Sequence, residues 1–188
     1  MSDYRVRPAT AADAAAICRI YNQGIEDRVA TLETELRTPE ERAAWLAGKS
    51  PRHPVIVAET IAADAEPGTI SNRPPTESAG RADPAATVIG WGSLNVFNPR
   101  EAYRFVADFS MYVERTWRGR GVGRVVLETL IELAHAHGFH KLVLSAFPFN
   151  APGMALYEKL GFRTVGIYRE QGLLDGKWVD TIVMEKLL

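Results

Sequence analysis

The feature that most constrains the fold is a strand that runs through a glycine turn into a helix, between residues 104 and 134. The first half alternates more polar residues with Phe105, Ala107, Phe109, Met111 and Val113, which is the period-two pattern of a half-buried strand. Glycines at 119, 121 and 123 then permit backbone angles that are closed to other residues. Apolar residues next recur at helical spacing, at Val126, Leu127, Leu130, Ile131 and Ala134. We therefore predict a strand, a tight turn and a helix in direct succession.

The start of that helix is a candidate anion site. Its unpaired N–H groups, the positive end of its dipole and the nearby Arg118, Arg120 and Arg124 suit a phosphate or pyrophosphate. A P-loop requires Gly-Lys followed by Ser or Thr, whereas Gly123 precedes an arginine and a valine here. A dinucleotide site requires G-x-G-x-x-G and an acidic residue about 20 positions later, where this chain has Lys141. A basic glycine turn without a ligand remains the alternative.

Composition favours one domain. The chain has 188 residues with 46% hydrophobic content, enough for one well-packed core, so we expect a single domain over residues 1–188. The net charge of −1 favours neither nucleic acid nor an anionic membrane as a partner. Cys18 is the lone cysteine, and the N-terminus lacks a signal peptide, which together predict a cytoplasmic protein without a disulfide or a metal-binding CxxC pair.

Residues 60–87 differ in composition from the rest of the chain. They are rich in Ala, Pro, Gly, Ser and Thr and nearly free of large apolar side chains. Such a segment buries too little apolar surface to offset the entropy of ordering. We predict a flexible insertion between two strands at about 60–87.

The element order along the chain predicts an α/β fold with a mixed sheet, in the order β-α-α-β-β-β-α-β-α-β-β. Thr10 with Asp13, and Thr38 with Glu41, mark the starts of the first two helices. The polar stretch 22–36 is either a pocket wall or a solvated loop, and spacing favours the loop. The central strand is expected to begin near Tyr103. Residues 171–176 are expected to form the connection between the last two strands.

Several motifs in this order resemble one enzyme group. Residues 118–123, Arg-Gly-Arg-Gly-Val-Gly, resemble the R/Q-x-x-G-x-G/A loop of the GNAT N-acetyltransferases, which holds the pyrophosphate of acetyl-CoA. Further matching stretches are 20–22 (IYN), 28–33 (RVATLE), 98–100 (NPR), 102–103 (AY), 110–113 (SMYV), 156–162 (LYEKLGF) and 176–180 (GKWVD). Together they are similar to the phosphinothricin and arsinothricin N-acetyltransferases, over nearly the whole chain.

The resemblance implies a GNAT fold with helices on both faces of the sheet, and acetyl-CoA as co-substrate without a metal. It implies cofactor contacts at Met111, Tyr112, Val113, Arg118, Gly119, Arg120, Gly121, Val122, Gly123, Arg124, Asn150 and Lys159. The strand backbone at 111–113 would bind the pantetheine amides and the acetyl carbonyl, and the glycine turn would bind the pyrophosphate. From the residues alone, Asn150 is equally well explained as a helix N-cap.

The resemblance also implies an acceptor site formed by Asn98, Pro99, Arg100, Tyr103 and Asp108. Arg100 suits a substrate carboxylate, although a solvated turn residue explains it as well. Asp108 stands where the group usually has glutamate, and an aspartate inside a strand calls for a partner or solvent. Tyr157 stands where phosphinothricin enzymes often have histidine, which leaves the identity of the acceptor open.

The implied reaction is direct acetyl transfer to the primary amine of a small amino-acid-like acceptor such as phosphinothricin, arsinothricin or methionine sulfoximine. Asp108 would act as the base, a strand N–H near Val113 would stabilise the oxyanion, and Tyr157 would protonate the departing sulfur. The group commonly forms homodimers, which we also expect here. The alternatives are acetylation of a protein or peptide N-terminus, and a non-catalytic acyl-CoA sensor.

Overall fold

The computed structural model describes residues 4–61 and 86–188. In these two ranges the strands are β1 (Tyr4–Pro8), β2 (Val55–Thr60), β3 (Val88–Val96), β4 (Val106–Val113), β5 (Lys141–Ala146), β6 (Arg163–Leu174) and β7 (Lys177–Leu187). The helices are α1 (Ala14–Glu26), α2 (Pro39–Ala47), α3 (Val122–Ala136) and α4 (Ala151–Lys159). The observed order confirms the predicted α/β order. The predicted insertion at 60–87 lies outside the described residues, apart from its two ends.

The strands form one mixed sheet in the order β1-β2-β3-β4-β5-β7-β6. Side chains alternate across each strand, so the sheet presents apolar residues on both faces. Helices cover both of these faces. On one face, Trp91 packs with the apolar stripe of α1, which includes Ile17, Ile20 and Ile25. On the other face, Phe109 packs with α3 through Leu127 and its apolar neighbours. The sheet therefore separates two hydrophobic cores.

The two central strands, β4 and β5, separate half-way along β4. They are parallel. In the described part of the chain they pair through Val106 with Lys141, Ala107 with Leu142 and Asp108 with Val143. β4 continues to Val113, and its other edge stays paired with β3 up to that residue. The edge of β4 that faces β5 is therefore free beyond Asp108, and the sheet splits there.

Local sequence signals fix the ends of the helices that flank this split. The Thr38 hydroxyl accepts a hydrogen bond from the Glu41 N–H, and the Glu41 carboxylate accepts one from the Thr38 N–H, which is a capping box before α2. Asn150 caps α4 through its side-chain oxygen, which accepts from the Gly153 N–H at 3.1 Å. Gly138 ends α3 with a φ of 69°, a left-handed conformation that favours glycine.

Three boundaries differ from the sequence predictions. The central strand begins at Val106 rather than near Tyr103, because residues 101–103 form a 3₁₀ turn closed by the Arg104 N–H donating to Glu101 O. Residues 22–26 continue α1 instead of joining a loop. β6 extends to Leu174, so the connection to β7 is the two-residue turn of Asp175 and Gly176, both at positive φ.

Candidate functional site

The glycine turn between β4 and α3 has the backbone geometry that the sequence predicted. Gly119 has a φ of 76° and Gly121 a φ of 86°, both in the region that favours glycine. Gly121 is the N-cap of α3, so the first free N–H groups of this 15-residue helix follow it directly. A Cβ on Gly123 would lie 3.2 Å from Cε of Met111. The turn thus brings the start of the helix against β4.

A cleft of about 690 Å³ lies between this turn, the free edge of β4 and the start of α4. We call it the cofactor cleft. Its lining includes nine of the predicted cofactor residues, namely Met111, Tyr112, Val113, Arg118, Gly119, Gly121, Gly123, Arg124 and Asn150. Gly24, Val29, Ala30, Phe149, Pro152, Gly153, Leu156 and Tyr157 complete the lining. The size and the mostly apolar walls suit an elongated ligand with one anionic end.

The three arginines of the turn have different surroundings. Arg118 lines the cofactor cleft, and its guanidinium makes an ion pair of 2.5 Å with Asp27 at the end of α1. Arg124 also lines the cleft, and it pairs with Glu128 one turn further along the helix at 2.8 Å. The Arg120 guanidinium lies 5.1 Å from the centroid of the Trp117 ring instead. Arg118 and Arg124 are therefore the arginines placed to meet an anion in the cleft.

Two other predicted cofactor residues, Val122 and Lys159, are not among the residues that line this cleft. The Val122 side chain is fully buried in the core beneath α3, so its backbone N–H is the group it can offer to a ligand. Lys159 is exposed at the last turn of α4. Contacts from Lys159 and Arg120 to a cofactor stay predictions.

Asp108 lies at the point where β4 and β5 separate, in a second cavity of about 190 Å³ that we call the inner chamber. The inner chamber and the cofactor cleft share the lining residues Ala30, Met111, Tyr112, Asn150 and Tyr157. Burial raises the pKa of Asp108 to about 6, although a hydrogen bond from Asn95 and the charge of Lys49 act in the opposite direction. The carboxyl group can therefore exchange a proton near neutral pH.

Tyr157 projects from α4 to the wall between the two cavities. Its ring packs edge-on against Phe109, with 6.1 Å between the ring centroids. Burial raises the pKa of the Tyr157 hydroxyl to about 12, so the group carries its proton at neutral pH. The structure thus brings the two predicted catalytic residues, Asp108 and Tyr157, to the lining of one chamber.

The four other predicted acceptor residues do not line either cavity. Asn98, Pro99 and Arg100 form the turn after β3, where the Asn98 side-chain oxygen accepts from the Arg100 N–H at 3.0 Å. Tyr103 packs on Phe97, with 5.7 Å between the ring centroids. Contacts from these four residues to an acceptor stay predictions. Over residues 4–61 and 86–188, no group of three or more His, Cys, Asp or Glu side chains is placed to hold a metal ion.

Sequence reasoning missed part of the chamber wall. The loop after α1 contributes Ala30 to the inner chamber and Ala30, Thr31 and Leu32 to an adjoining recess of about 200 Å³. Residues 22–36 are largely polar, and polarity alone favours a solvated loop over a pocket wall. Ser145 on β5 lines both the inner chamber and this recess. Its place as a polar residue within an apolar strand was the available sequence signal.

Comparison with known proteins agrees with this geometry. The model of the acetyltransferase (GNAT) family matches residues 32–162. A Bacillus subtilis protein provisionally named as a phosphinothricin acetyltransferase is 31% identical over 183 residues, covering 97% of this chain and 98% of the relative. An L-methionine sulfoximine/L-methionine sulfone acetyltransferase from Pseudomonas paraeruginosa is 28% identical over 181 residues, covering 96% of this chain and 92% of the relative.

A solved structure extends the agreement to three dimensions. The GNAT superfamily phosphinothricin acetyltransferase from Sinorhizobium meliloti, in complex with acetyl-CoA, superposes with a TM-score of 0.81 at 27% identity. The match covers 100% of this chain and 89% of that one. The chain therefore belongs to the acetyltransferase (GNAT) family and is an acetyl-CoA-dependent N-acetyltransferase.

Proposed function

We propose that this enzyme moves the acetyl group of acetyl-CoA to the primary amine of a small amino-acid-like acceptor by direct transfer. The observation that carries the proposal is the joining of two cavities at the split between β4 and β5. One cavity has the glycine turn and arginines that suit a pyrophosphate, and the other holds the Asp108 carboxyl. A donor and an acceptor bound in them would meet beside Tyr157, which lines both.

The cofactor cleft would hold acetyl-CoA from its anionic end to its thioester. Arg118, Arg124 and the first N–H groups of α3 would hold the pyrophosphate, because a helix start and two guanidinium groups converge there. The free edge of β4 at residues 111–113 would hydrogen-bond the pantetheine amides and the acetyl carbonyl. Asn150 uses its side-chain oxygen as the cap of α4, so its NH₂ group is the part it can offer to the donor.

The chemistry needs a neutral amine, and acetyl-CoA supplies the activated acetyl group. Asp108 would accept a proton from the acceptor ammonium, directly or through water, which leaves the nitrogen lone pair free to attack the acetyl carbon. A backbone N–H near Val113 would stabilise the oxyanion as the C–N bond forms. When the C–S bond breaks, Tyr157 would give its proton to the sulfur. Asp108 would thus take the proton that the amine loses, and Tyr157 would supply the proton that the thiolate gains, on opposite sides of the reacting centre.

The recess beside the inner chamber would hold the rest of the acceptor. It is lined by Ala30, Thr31, Leu32, Ser145, Ala146, Phe147 and Thr181, and none of these residues is charged. Arg28 holds the loop that forms this wall to the β6–β7 turn, through an ion pair of 3.3 Å with Asp175. An acceptor side chain with uncharged polar atoms, such as a sulfoximine or sulfone, matches this lining better than a charged phosphinate does.

A panel of amines assayed for acetyl-CoA-dependent release of free thiol tests the proposal. We expect methionine sulfoximine and methionine sulfone to give the highest kcat/KM, followed by phosphinothricin and arsinothricin, with polyamines and peptides far below. A peptide with a free N-terminus as the best acceptor would favour the alternative of protein N-terminal acetylation. Tight acetyl-CoA binding without thiol release on any amine would favour the acyl-CoA sensor.

We further propose that the enzyme forms a homodimer through its C-terminal strands. β6 is an edge strand of 12 residues, and such a long edge is open to pairing or coverage. Large apolar side chains stand exposed on β6 and β7, namely Val165, Ile167, Tyr168, Leu173 and Trp178. Light scattering at micromolar concentration should give about twice the chain mass of 20.8 kDa, and Trp178→Asp should lower it. A wild-type mass of one chain would refute the dimer.

A further inference from the structure

Lys49 is a partly buried cation that hydrogen-bonds Asn95 on the face of the sheet that also carries Asp108. It follows α2, and its ammonium group donates to Leu94 O at 2.7 Å and to Asn95 Oδ1 at 2.6 Å. Burial lowers the pKa of Lys49 to about 8, and the charge of Asp108 acts against this shift. Removing the lysine ammonium group from water costs desolvation free energy, so an interaction with a specific partner has to offset that cost.

Asn95 connects this cation to Asp108. Asn95 and Asp108 are direct cross-strand partners on β3 and β4, so their side chains lie on the same face of the sheet. The Asn95 Oδ1 atom accepts from Lys49 and, at 2.8 Å, from the Ser93 hydroxyl. Two donors on that oxygen fix the orientation of the amide, because a flipped amide would point its NH₂ group at both of them.

The fixed amide presents its NH₂ group to the chamber side. Nδ2 of Asn95 donates to the Ser110 hydroxyl at 3.1 Å, and Asn95 also lowers the pKa of its cross-strand partner Asp108. We propose that Lys49 is a positioning residue for the reaction, which acts through Asn95 to hold the Asp108 carboxyl as an oriented, ionised base. This inference rests on the proposed role of Asp108, and it adds a residue that does not line the inner chamber.

Other charged or titratable groups near Asp108 do not replace Lys49. Tyr157 on α4 and Tyr112 on β4 line the same chamber, and burial raises the pKa of both hydroxyls, so they are neutral at pH 7. On β5, Lys141 pairs in register with Val106, and its charge is engaged by Glu185 on β7. Burial, together with the charge of Lys49, lowers the pKa of His53. Among residues 4–61 and 86–188, Lys49 is therefore the cation whose charge lowers the pKa of Asp108.

The test is the pH profile of kcat/KM at saturating acetyl-CoA, with methionine sulfoximine as the acceptor, for wild type, Lys49→Met and Lys49→Arg. Loss of the charge raises the pKa of Asp108, so the acid limb of the Lys49→Met profile should move up by about one pH unit. That shift lowers activity about five-fold at pH 6 and about two-fold at pH 7, with recovery above pH 8. Lys49→Arg keeps the charge and should stay close to wild type.

Two controls separate this role from a structural one. Lys141→Met removes a lysine from the neighbouring strand and should leave the acid limb in place. Asn95→Leu should reproduce the shift, and Lys49→Met combined with Asn95→Leu should shift the limb no further than either change alone, since both break one connection. The carboxyl pKa of Asp108, followed by NMR, gives the same answer without turnover.

A folded Lys49→Met enzyme whose acid limb and Asp108 pKa match wild type overturns the inference. A loss of activity that is equal at every pH also overturns it, because that pattern indicates structural damage. Asp108→Asn distinguishes a wrong assignment of the base from a wrong role for Lys49. If Asp108→Asn keeps full activity, the proposed base is wrong; if it is inactive while Lys49→Met is unshifted, the role of Lys49 alone is wrong.

Discussion

Asp108→Asn is expected to lower kcat by about 10²- to 10⁴-fold, which is the usual contribution of a positioned general base. Asparagine keeps the shape of the side chain and cannot accept the ammonium proton. In the wild type the pKa of Asp108 is raised to about 6, so kcat/KM should fall as the pH drops through 6 and the base becomes protonated. The acid limb at that pH should be absent in the variant, whose rate should rise with pH as more of the acceptor amine becomes neutral.

Tyr157→Phe is the matched comparison, because it removes a proton donor from the other side of the reacting centre. Its defect should persist at high pH and should shrink with an acyl donor whose leaving group needs no proton. Steady-state rates and acetyl-CoA affinity are to be measured for both variants, and the affinity should change little in either. Wild-type turnover in both variants would show that the chemistry is done elsewhere.

Gly123→Leu is expected to weaken acetyl-CoA binding by about 100-fold, or about 2.7 kcal/mol. A Cβ at this position already lies 3.2 Å from Met111 and 3.5 Å from both Leu156 and Val113. The rest of a leucine side chain has to enter the cofactor cleft, where the donor would bind. Gly123→Ala should have a smaller effect, because the flexible end of Met111 can yield. Calorimetric titration with acetyl-CoA measures the affinity, and the melting temperature reports on folding.

Gly138→Ala separates a binding defect from a folding defect. Gly138 ends α3 at a φ of 69°, and no atom lies within 4 Å of an added Cβ. Alanine there costs about 1 kcal/mol of stability because of the backbone strain, so the melting temperature should fall. Acetyl-CoA affinity should stay at the wild-type value. Unchanged affinity in folded Gly123→Leu would contradict the assignment of the cleft.

The sequence by itself determined the elements and the anion-binding turn. Period-two alternation, then glycines, then helical spacing predicted β4, the turn and α3, because these patterns report local backbone preferences. It also singled out Asp108, since a carboxylate inside a good strand needs a special environment. The boundary near Tyr103 was wrong because apolar alternation continues through Phe105, whose ring is exposed and packs under the Arg104 guanidinium at 4.4 Å.

Tertiary structure alone decided how the site is assembled. The split of β4 from β5 at Asp108 depends on pairing between residues that are 35 positions apart, such as Asp108 and Val143, and no local pattern encodes where such pairing ends. The same holds for the loop wall at Ala30 and for the contact of Lys49 with Asn95, 46 residues away. The sequence shows which residues are neighbours along the chain, whereas Asp108 and the partly buried Lys49 come close together only when the sheet forms.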